Sequence, residues 1–231
     1  MMPTRMALPK DVKFVSFDVY GTLIDWEGGA YDAFVREAAR DGFTLERNEL
    51  IPLFHAIQQR IQSGSYELYA EVLRRTAVEI AKDLGWPLEP SRSNFLPDSV
   101  KAWKPFRETN TQLARFAKKF SLGLLSNVDD KLLGQTRRHF KEDFDLVVTA
   151  QQVRSYKPEP AHFRECERRR GSKKGWVHVG ASYYHDVEPC LKARVPVIWV
   201  NRKKEQLDPG QRRPTAEVPN LLAAAKLLGA A

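Results

Sequence analysis

Four places in this chain carry groups that could do chemistry together: Asp18, the pair Ser126–Asn127, Lys157 and Asp186. Each follows a short apolar run. "VKFVSF" ends on Asp18, with Val19, Tyr20, Gly21 and Thr22 after it. "LGLL" ends on Ser126 and Asn127, "FDLVVTA" leads into a loop holding Lys157, and "WVHVG" leads to Ala181, Ser182 and Asp186. A carboxylate is a weak nucleophile in water and becomes useful when it is desolvated and fixed in an attack geometry. A lysine would balance its charge, hydroxyls would hold an anion, and the turn "VYGT" would offer backbone N–H groups as an electrostatic cradle. Taken singly, each has an ordinary reading. Asp18 caps a turn, Ser126–Asn127 are turn residues, Lys157 is a surface cation and Asp186 caps a helix. All four in order, each at a separate strand end, favour one site.

That convergence rests on the elements around them. "VKFVSF" is β-branched and aromatic and reads as a buried strand. From Gly28 to about Trp103 the pattern is helical. "ELIPLFHAIQQRI" and "YELYAEVLRRTAVEIAKDLG" space apolar residues by three and four, with Gly85 and Pro87 closing the second. A further turn is expected over 98–103, with Pro97 at its start. After Phe106, helices alternate with strands. One helix containing Leu113, Phe116 and Phe120 precedes "LGLL", and one over about 132–140 precedes "FDLVVTA". One over 161–170 precedes "WVHVG", one over 187–194 precedes "VPVIWV", and "NLLAAAKLLG" closes the chain as a helix. Such alternation implies right-handed crossovers and a doubly wound parallel sheet, whose ligands bind beyond the carboxyl ends of the strands. The expected organisation is a Rossmann-like α/β core, 1–25 and 104–231, with a helical domain, 26–103, inserted after the first strand.

Composition narrows the functional classes. With 42% hydrophobic and 29% charged residues among 231, the chain is a globule with a core that needs no staples. Cys166 and Cys190 have neither metal-ligand spacing nor a disulfide framework, which favours a cytoplasmic home. No apolar run is long enough for a membrane span, and "MMPTRMALPK" lacks the apolar core of a signal peptide. The net charge of +8 comes from short clusters, "ERRRGSKKG", "NRKKEQ" and "QRRP", without interleaved aromatics. They read as solvated surface rather than a nucleic-acid face, and their positive field favours a small anionic substrate.

Together "FDVYGTL", "LLSN", "YKP" and "VGASYYHD" resemble the four ordered motifs of the haloacid dehalogenase superfamily, with the helical insertion where that superfamily places its cap. The resemblance implies a hydrolase with Asp18 as the nucleophile that forms a covalent ester. Thr22, Ser126 and Asn127 would hold the nucleophile and the substrate anion, Lys157 the negative charge, and Asp186 would orient Lys157. Most members are phosphatases with a second acid two residues after the nucleophile; here Tyr20 stands there, a poor proton donor at neutral pH. Their fourth motif carries a carboxylate where this chain has Ala181, and Mg²⁺ tolerates poor coordination badly. Both departures, with "YGTL" and "WVNR", resemble the L-2-haloacid dehalogenase branch.

That branch has a cap arginine, and His55 falls near its position, with Arg60 as a neighbouring alternative out of helical phase. Phe163 replaces a tyrosine and Tyr183 an asparagine. Substrate contacts are therefore expected from Val19, Tyr20, His55, Ser182 and Tyr183. Trp26, Tyr66 and Tyr69 are expected mainly to pack the cap, and His185 to sit at a helix-start surface. The expected reaction is metal-independent hydrolytic dehalogenation of a short 2-haloacid, with no cofactor. The alternatives are a phosphatase holding Mg²⁺ on Asp18 and Asp186, and a binding protein on a retired hydrolase scaffold. A homodimer is the oligomer that similar proteins suggest.

Overall fold

The first strand, β1 (Phe14–Phe17), is buried at every position, as the central strand of a sheet covered on both faces must be. The computed structural model describes residues 6–230; residues 1–5, which open the stretch read as lacking a leader, and Ala231 lie outside the described residues. Before the second strand come α1 (Trp26–Ala38), α2 (Arg47–Gln62), α3 (Tyr69–Asp83) and α4 (Phe95–Ser99). Alternation then begins with α5 (Thr109–Ala117), β2 (Ser121–Ser126), α6 (Asp130–Thr136), β3 (Leu146–Thr149) and α7 (Ala150–Val153). It continues through α8 (Ala161–Arg170), β4 (Trp176–Gly180), α9 (Glu188–Ala193), β5 (Val197–Val200), β6 (Ala216–Val218) and α10 (Leu221–Leu227). The sheet order is β3-β2-β1-β4-β5-β6, every neighbouring pair parallel. The expected Rossmann-like α/β fold is the one observed.

Both faces of the sheet are covered. Val15 and Phe17 meet Leu113 and Phe116 of α5 and Leu221 and Ala224 of α10 on one side. Phe14, Leu125 and Trp176 meet Phe163 and Cys166 of α8 and Cys190 of α9 on the other. The two cysteines are thus free core residues. The inserted helices have their own aromatic centre. Phe34 presents its ring edge-on to Phe54, Trp86 and Phe95, at centroid distances of 6.3, 6.2 and 5.1 Å.

Two short segments join this helical block to the sheet. The chain leaves at Asp25 and returns at Lys104, and the crossings pair through Asp25 N–H to the Lys104 carbonyl (2.9 Å) and Phe106 N–H to the Leu23 carbonyl (3.1 Å). Asp129, just after β2, adds a third tie. Its two carboxylate oxygens accept from the amides of Tyr69 and Ala70, each at 2.7 Å, at the start of α3. Those amides have no partner within their own helix, so a carboxylate from the sheet satisfies them and complements the helix dipole.

Several boundaries differ from expectation. The third helix starts at Tyr69 rather than near Tyr66, where Asp129 supplies its cap. The turn expected over 98–103 begins at Phe95 and tightens into a 3₁₀ turn over Val100–Ala102. Phe120 and Phe140 lie beyond their helices. A wide π-turn, Tyr183–Val187, precedes α9, and the edge strand β6, only three residues long, is too short for a periodic signal. Among the described residues no helix is long and apolar enough to cross a membrane.

Candidate active site

Asp18 continues the ladder of β1 by donating its amide to the Val179 carbonyl at 3.0 Å, and its carboxyl stands at the strand's end. The chain must then reverse within a few residues. Gly21, at φ +98°, lies in the left-handed region that favours glycine and makes the reversal. Thr22 is thereby brought back: its hydroxyl donates to Asp18 Oδ2 at 2.9 Å and accepts from the Ala181 amide at 2.9 Å. The Gly21 amide is spent on the Ile24 carbonyl, so this member of the expected backbone cradle is not offered to a ligand.

Lys157 fills the space beneath. Its ammonium donates to Asp18 Oδ1 (2.9 Å), Asp186 Oδ1 (2.6 Å) and the Leu125 carbonyl (2.9 Å), which uses all three protons. Asn127 holds the lysine's main chain through two bonds, Nδ2 to the Lys157 carbonyl at 3.0 Å and Lys157 N–H to Oδ1 at 2.7 Å. It therefore places the lysine rather than presenting its own amide to substrate. Asp186 returns over the end of β4 through the π-turn, its Oδ2 accepting from the Ser182 amide at 3.1 Å. A side chain at Gly180 would put its Cβ 2.5 Å from the Asp186 carboxyl, so the last residue of β4 has to be glycine.

One ammonium thus serves two buried carboxylates, and they are not equivalent. Burial opposes the charge on Asp186, but Lys157 and His178 outweigh it and hold the group below the usual carboxylate range. Burial and then the charge of Asp186 push Asp18 up to about 6 against the pull of Lys157. Lys157 itself stays firmly charged, because the two carboxylates overcome the cost of its burial.

Above this cluster lies a cavity of about 520 Å³ between the sheet and the helical block. Asp18, Ser126, Asn127, Lys157, Ser182, Tyr183 and Asp186 line it from below, and Trp26, His55, Gln58 and Tyr69 from above. The Ser126 hydroxyl is buried without a hydrogen-bond partner in the protein. Ten of the eleven expected site residues reach this cavity or bond directly to a group in it. The exception is Val19, whose side chain is fully buried in the core because it points to the apolar face of the sheet.

Other expectations change in detail. Tyr20 lines the cavity with its ring, but its hydroxyl turns away to Thr136 Oγ1 at 2.9 Å, and burial pushes the phenol well above its ordinary pKa. Tyr183 lines it while its hydroxyl donates outward to the Arg212 carbonyl at 2.8 Å. His55 sits at the mouth, 3.3 Å from Glu27, and Lys203 pairs with the same carboxylate from the core side. Arg60, the alternative to His55, pairs with Glu79 on the outer surface and does not line the cavity. Trp26 and Tyr69 line the cavity as well as packing, whereas Tyr66 stacks on Tyr156 outside it. His185 is a lining residue rather than a surface one, because the π-turn swings it inward to Ser182 Oγ at 3.1 Å.

Glu27, Lys203, Asp129 and His178 lie outside the four sequence motifs and join the site or its supports only through the fold. For His178 a signal existed, a lone imidazole within the otherwise apolar "WVHVG". Glu27 and Lys203 had none, since their meeting joins residues 176 positions apart.

The model of the haloacid dehalogenase-like hydrolases matches residues 12–194. An (S)-2-haloacid dehalogenase of Pseudomonas putida is 24% identical over 220 residues, covering 92% of this chain and 94% of that protein. A glyceraldehyde 3-phosphate phosphatase of Methanothermobacter thermautotrophicus is 30% identical over 204 residues, covering 82% and 86%. Among solved structures, the L-2-haloacid dehalogenase of Xanthobacter autotrophicus with chloropropionic acid covalently bound superposes with a TM-score of 0.82. That similarity covers 94% of this chain and 98% of the other at 18% identity, and shows the common fold. With the family model spanning most of its length and the four strand-end motifs gathered around one cavity, this chain belongs to the haloacid dehalogenase-like hydrolases.

Proposed function

We propose that the protein dehalogenates a short 2-haloacid by hydrolysis, with Asp18 as nucleophile and no metal ion. The observation that carries this reading is the Lys157 ammonium between the two carboxylates of the site, 2.9 Å from Asp18 and 2.6 Å from Asp186. The second oxygen of each carboxylate is engaged by Thr22 and by the Ser182 amide. Magnesium asks for near-octahedral oxygen ligands at about 2.0–2.1 Å. The residues present do not fit it: an ammonium occupies the shared position and residue 181 offers only a methyl group.

The Asp18 carboxylate would attack the halogen-bearing carbon in line, and the halide would leave with the bonding pair. Water would then add to the Asp18 carbonyl carbon of the ester, and cleavage of the acyl C–O bond would release the 2-hydroxy acid, with a proton passing to solvent. Halide is the conjugate base of a strong or moderate acid and departs without a proton. This agrees with Tyr20, whose hydroxyl is committed to Thr136. The unpartnered Ser126 hydroxyl is the donor available to the substrate carboxylate, and Lys203, paired with Glu27 beside His55, places a cation at the mouth. The helical block would act as the cap, closing on the paired crossings at Asp25 and Lys104 to exclude water from the first step.

The test is a single turnover in heavy-oxygen water with enzyme in excess. The new hydroxyl should carry the unlabelled Asp18 oxygen and the enzyme should gain the label; label in the first product would mean direct water attack and defeat the reading. A second reading, a small-molecule phosphatase, is favoured by the 30% identical phosphatase. Substantial turnover of p-nitrophenyl phosphate that depends on added Mg²⁺ would establish it instead.

Two further results are expected. Because Asp18 titrates near 6, its protonated, non-nucleophilic form dominates below that pH. A pH–rate profile should therefore show kcat/KM falling about tenfold per unit on the acid side and levelling above it. Tyr20→Phe removes a hydroxyl aimed away from the cavity, so kcat should stay within about threefold while stability falls by about 1 kcal/mol, read by denaturant melts.

A further inference from the structure

Beneath the site a line of buried side chains runs from the sheet to Asp186. The register of β1 against β4 places Ser16 beside His178 and Phe14 beside Trp176, so Trp176, His178 and Gly180 project to the same side. Trp176 Nε1–H donates to Ser16 Oγ at 2.7 Å, Ser16 Oγ lies 2.8 Å from His178 Nδ1, and His178 Nε2 lies 3.4 Å from Asp186 Oδ1. All four residues are fully buried. Gly180, next on that side, leaves the room into which Asp186 folds.

The chemistry of the first member sets every proton in the line. An indole N–H can only donate, so Ser16 Oγ accepts from Trp176 and turns its own proton toward His178. His178 Nδ1 is then an acceptor, and the neutral ring carries its proton on Nε2, directed at Asp186. Burial keeps the ring neutral by pushing its pKa below the ordinary histidine value. Asp186 consequently faces three donors, Lys157 Nζ, His178 Nε2–H and the Ser182 amide. Such a carboxylate is confined to its anionic form and to one orientation, and the ammonium it grips is confined with it.

We propose that His178 is a positioning residue, fixed by Ser16 and Trp176 as its Nε2–H tautomer, which holds Asp186 and through it keeps the Lys157 ammonium facing Asp18. The catalytic part of this inference rests on Asp18 being the nucleophile; the tautomer does not. His178 touches no cavity surface, so it acts only through Asp186.

Nitrogen NMR of the full-length protein with ¹⁵N-labelled histidine tests the first half, with His178→Gln identifying the resonance. Expected is a neutral ring protonated at Nε2 in the wild type, and loss of that single tautomer in Trp176→Phe. A ring protonated at Nδ1, or on both nitrogens, at pH 7 would overturn the proposal. Kinetics test the second half. His178→Leu should lower kcat by about 100-fold with KM within about twofold, the effect of a small misplacement away from the reacting atoms. His178→Gln, whose amide can still donate to Asp186, should recover most of it. Equal kcat for Leu, Gln and wild type, with melting curves showing all three folded, would reduce the line to core packing. Should the wild type release neither halide nor phosphate, the functional reading fails while the tautomer result stands or falls by itself.

Discussion

Asp18→Asn is expected to lower halide release by about 10⁴-fold or more, the scale of removing a covalent nucleophile. The amide matches the carboxylate in shape and can still accept from Thr22 or Lys157, so the cavity should keep its form. What disappears is an anionic oxygen able to attack carbon, and Asp186, the other carboxylate held by Lys157, is not free to replace it. Asp186 has both oxygens committed to Lys157 and to the Ser182 amide. Stability should not fall with activity. Asp18 in the fold titrates near 6, above its value in an open chain. Its ionisation at pH 7 therefore costs more in the folded state than in the unfolded one. Removing it should leave the melting temperature unchanged or higher. Halide release and thermal melts on the same preparation check both halves. Retention of more than about 1% of the activity would mean that Asp18 is not the nucleophile.

Lys157→Met should have the second large effect, and it acts on the fold as well as on turnover. The ammonium is 1% exposed and is the cation in contact with both Asp18 and Asp186, themselves 8% and 0% exposed. Removing one partner of a buried ion pair costs about 3–5 kcal/mol, because the remaining charge is left uncompensated. Here two carboxylates would be stranded, and both would take up protons more readily in the fold than in the open chain. A folded state that binds more protons gains stability as pH falls. The loss measured by denaturant melts at pH 7.5 should therefore shrink at pH 5, and Lys157→Met combined with Asp186→Asn should recover part of it. An equal loss at both pH values would show that packing of the lysine stem, rather than its charge, is what the fold uses. Turnover should be lost at either pH, since the ammonium in contact with Asp18 would be gone.

Much of this was legible in one dimension. Helix α8 occupies 161–170 as expected, and Gly85, read as a helix stop, stands just past α3 in a left-handed conformation. Alternation of helix and strand after Phe106 gave the parallel sheet, and the rule that ligands gather at strand ends gave the site. Asp18, Thr22, Ser126, Lys157 and Asp186 met as expected because each follows or neighbours a strand whose direction the sheet imposes.

The rest lies in pairings across long separations. Asp18 and Lys157 are 139 positions apart, and their 2.9 Å contact could be expected only from motif order. Periodicity says which residues face an apolar layer; it does not say where a hydroxyl on that layer turns. Hence the Tyr20 ring and its hydroxyl part company, and Val19 disappears into the core while its neighbours line the cavity. Asn127 looks like a ligand to an anion and is spent on the main chain of Lys157. His178 looks like an apolar strand's oddity, and only the register that lays β1 against β4 joins it to Ser16 on one side and Asp186 on the other. Local pattern specifies elements because burial acts on each face separately. Proton direction, charge sharing and hydrogen-bond partners depend on atoms within about 3 Å, and packing alone brings those together.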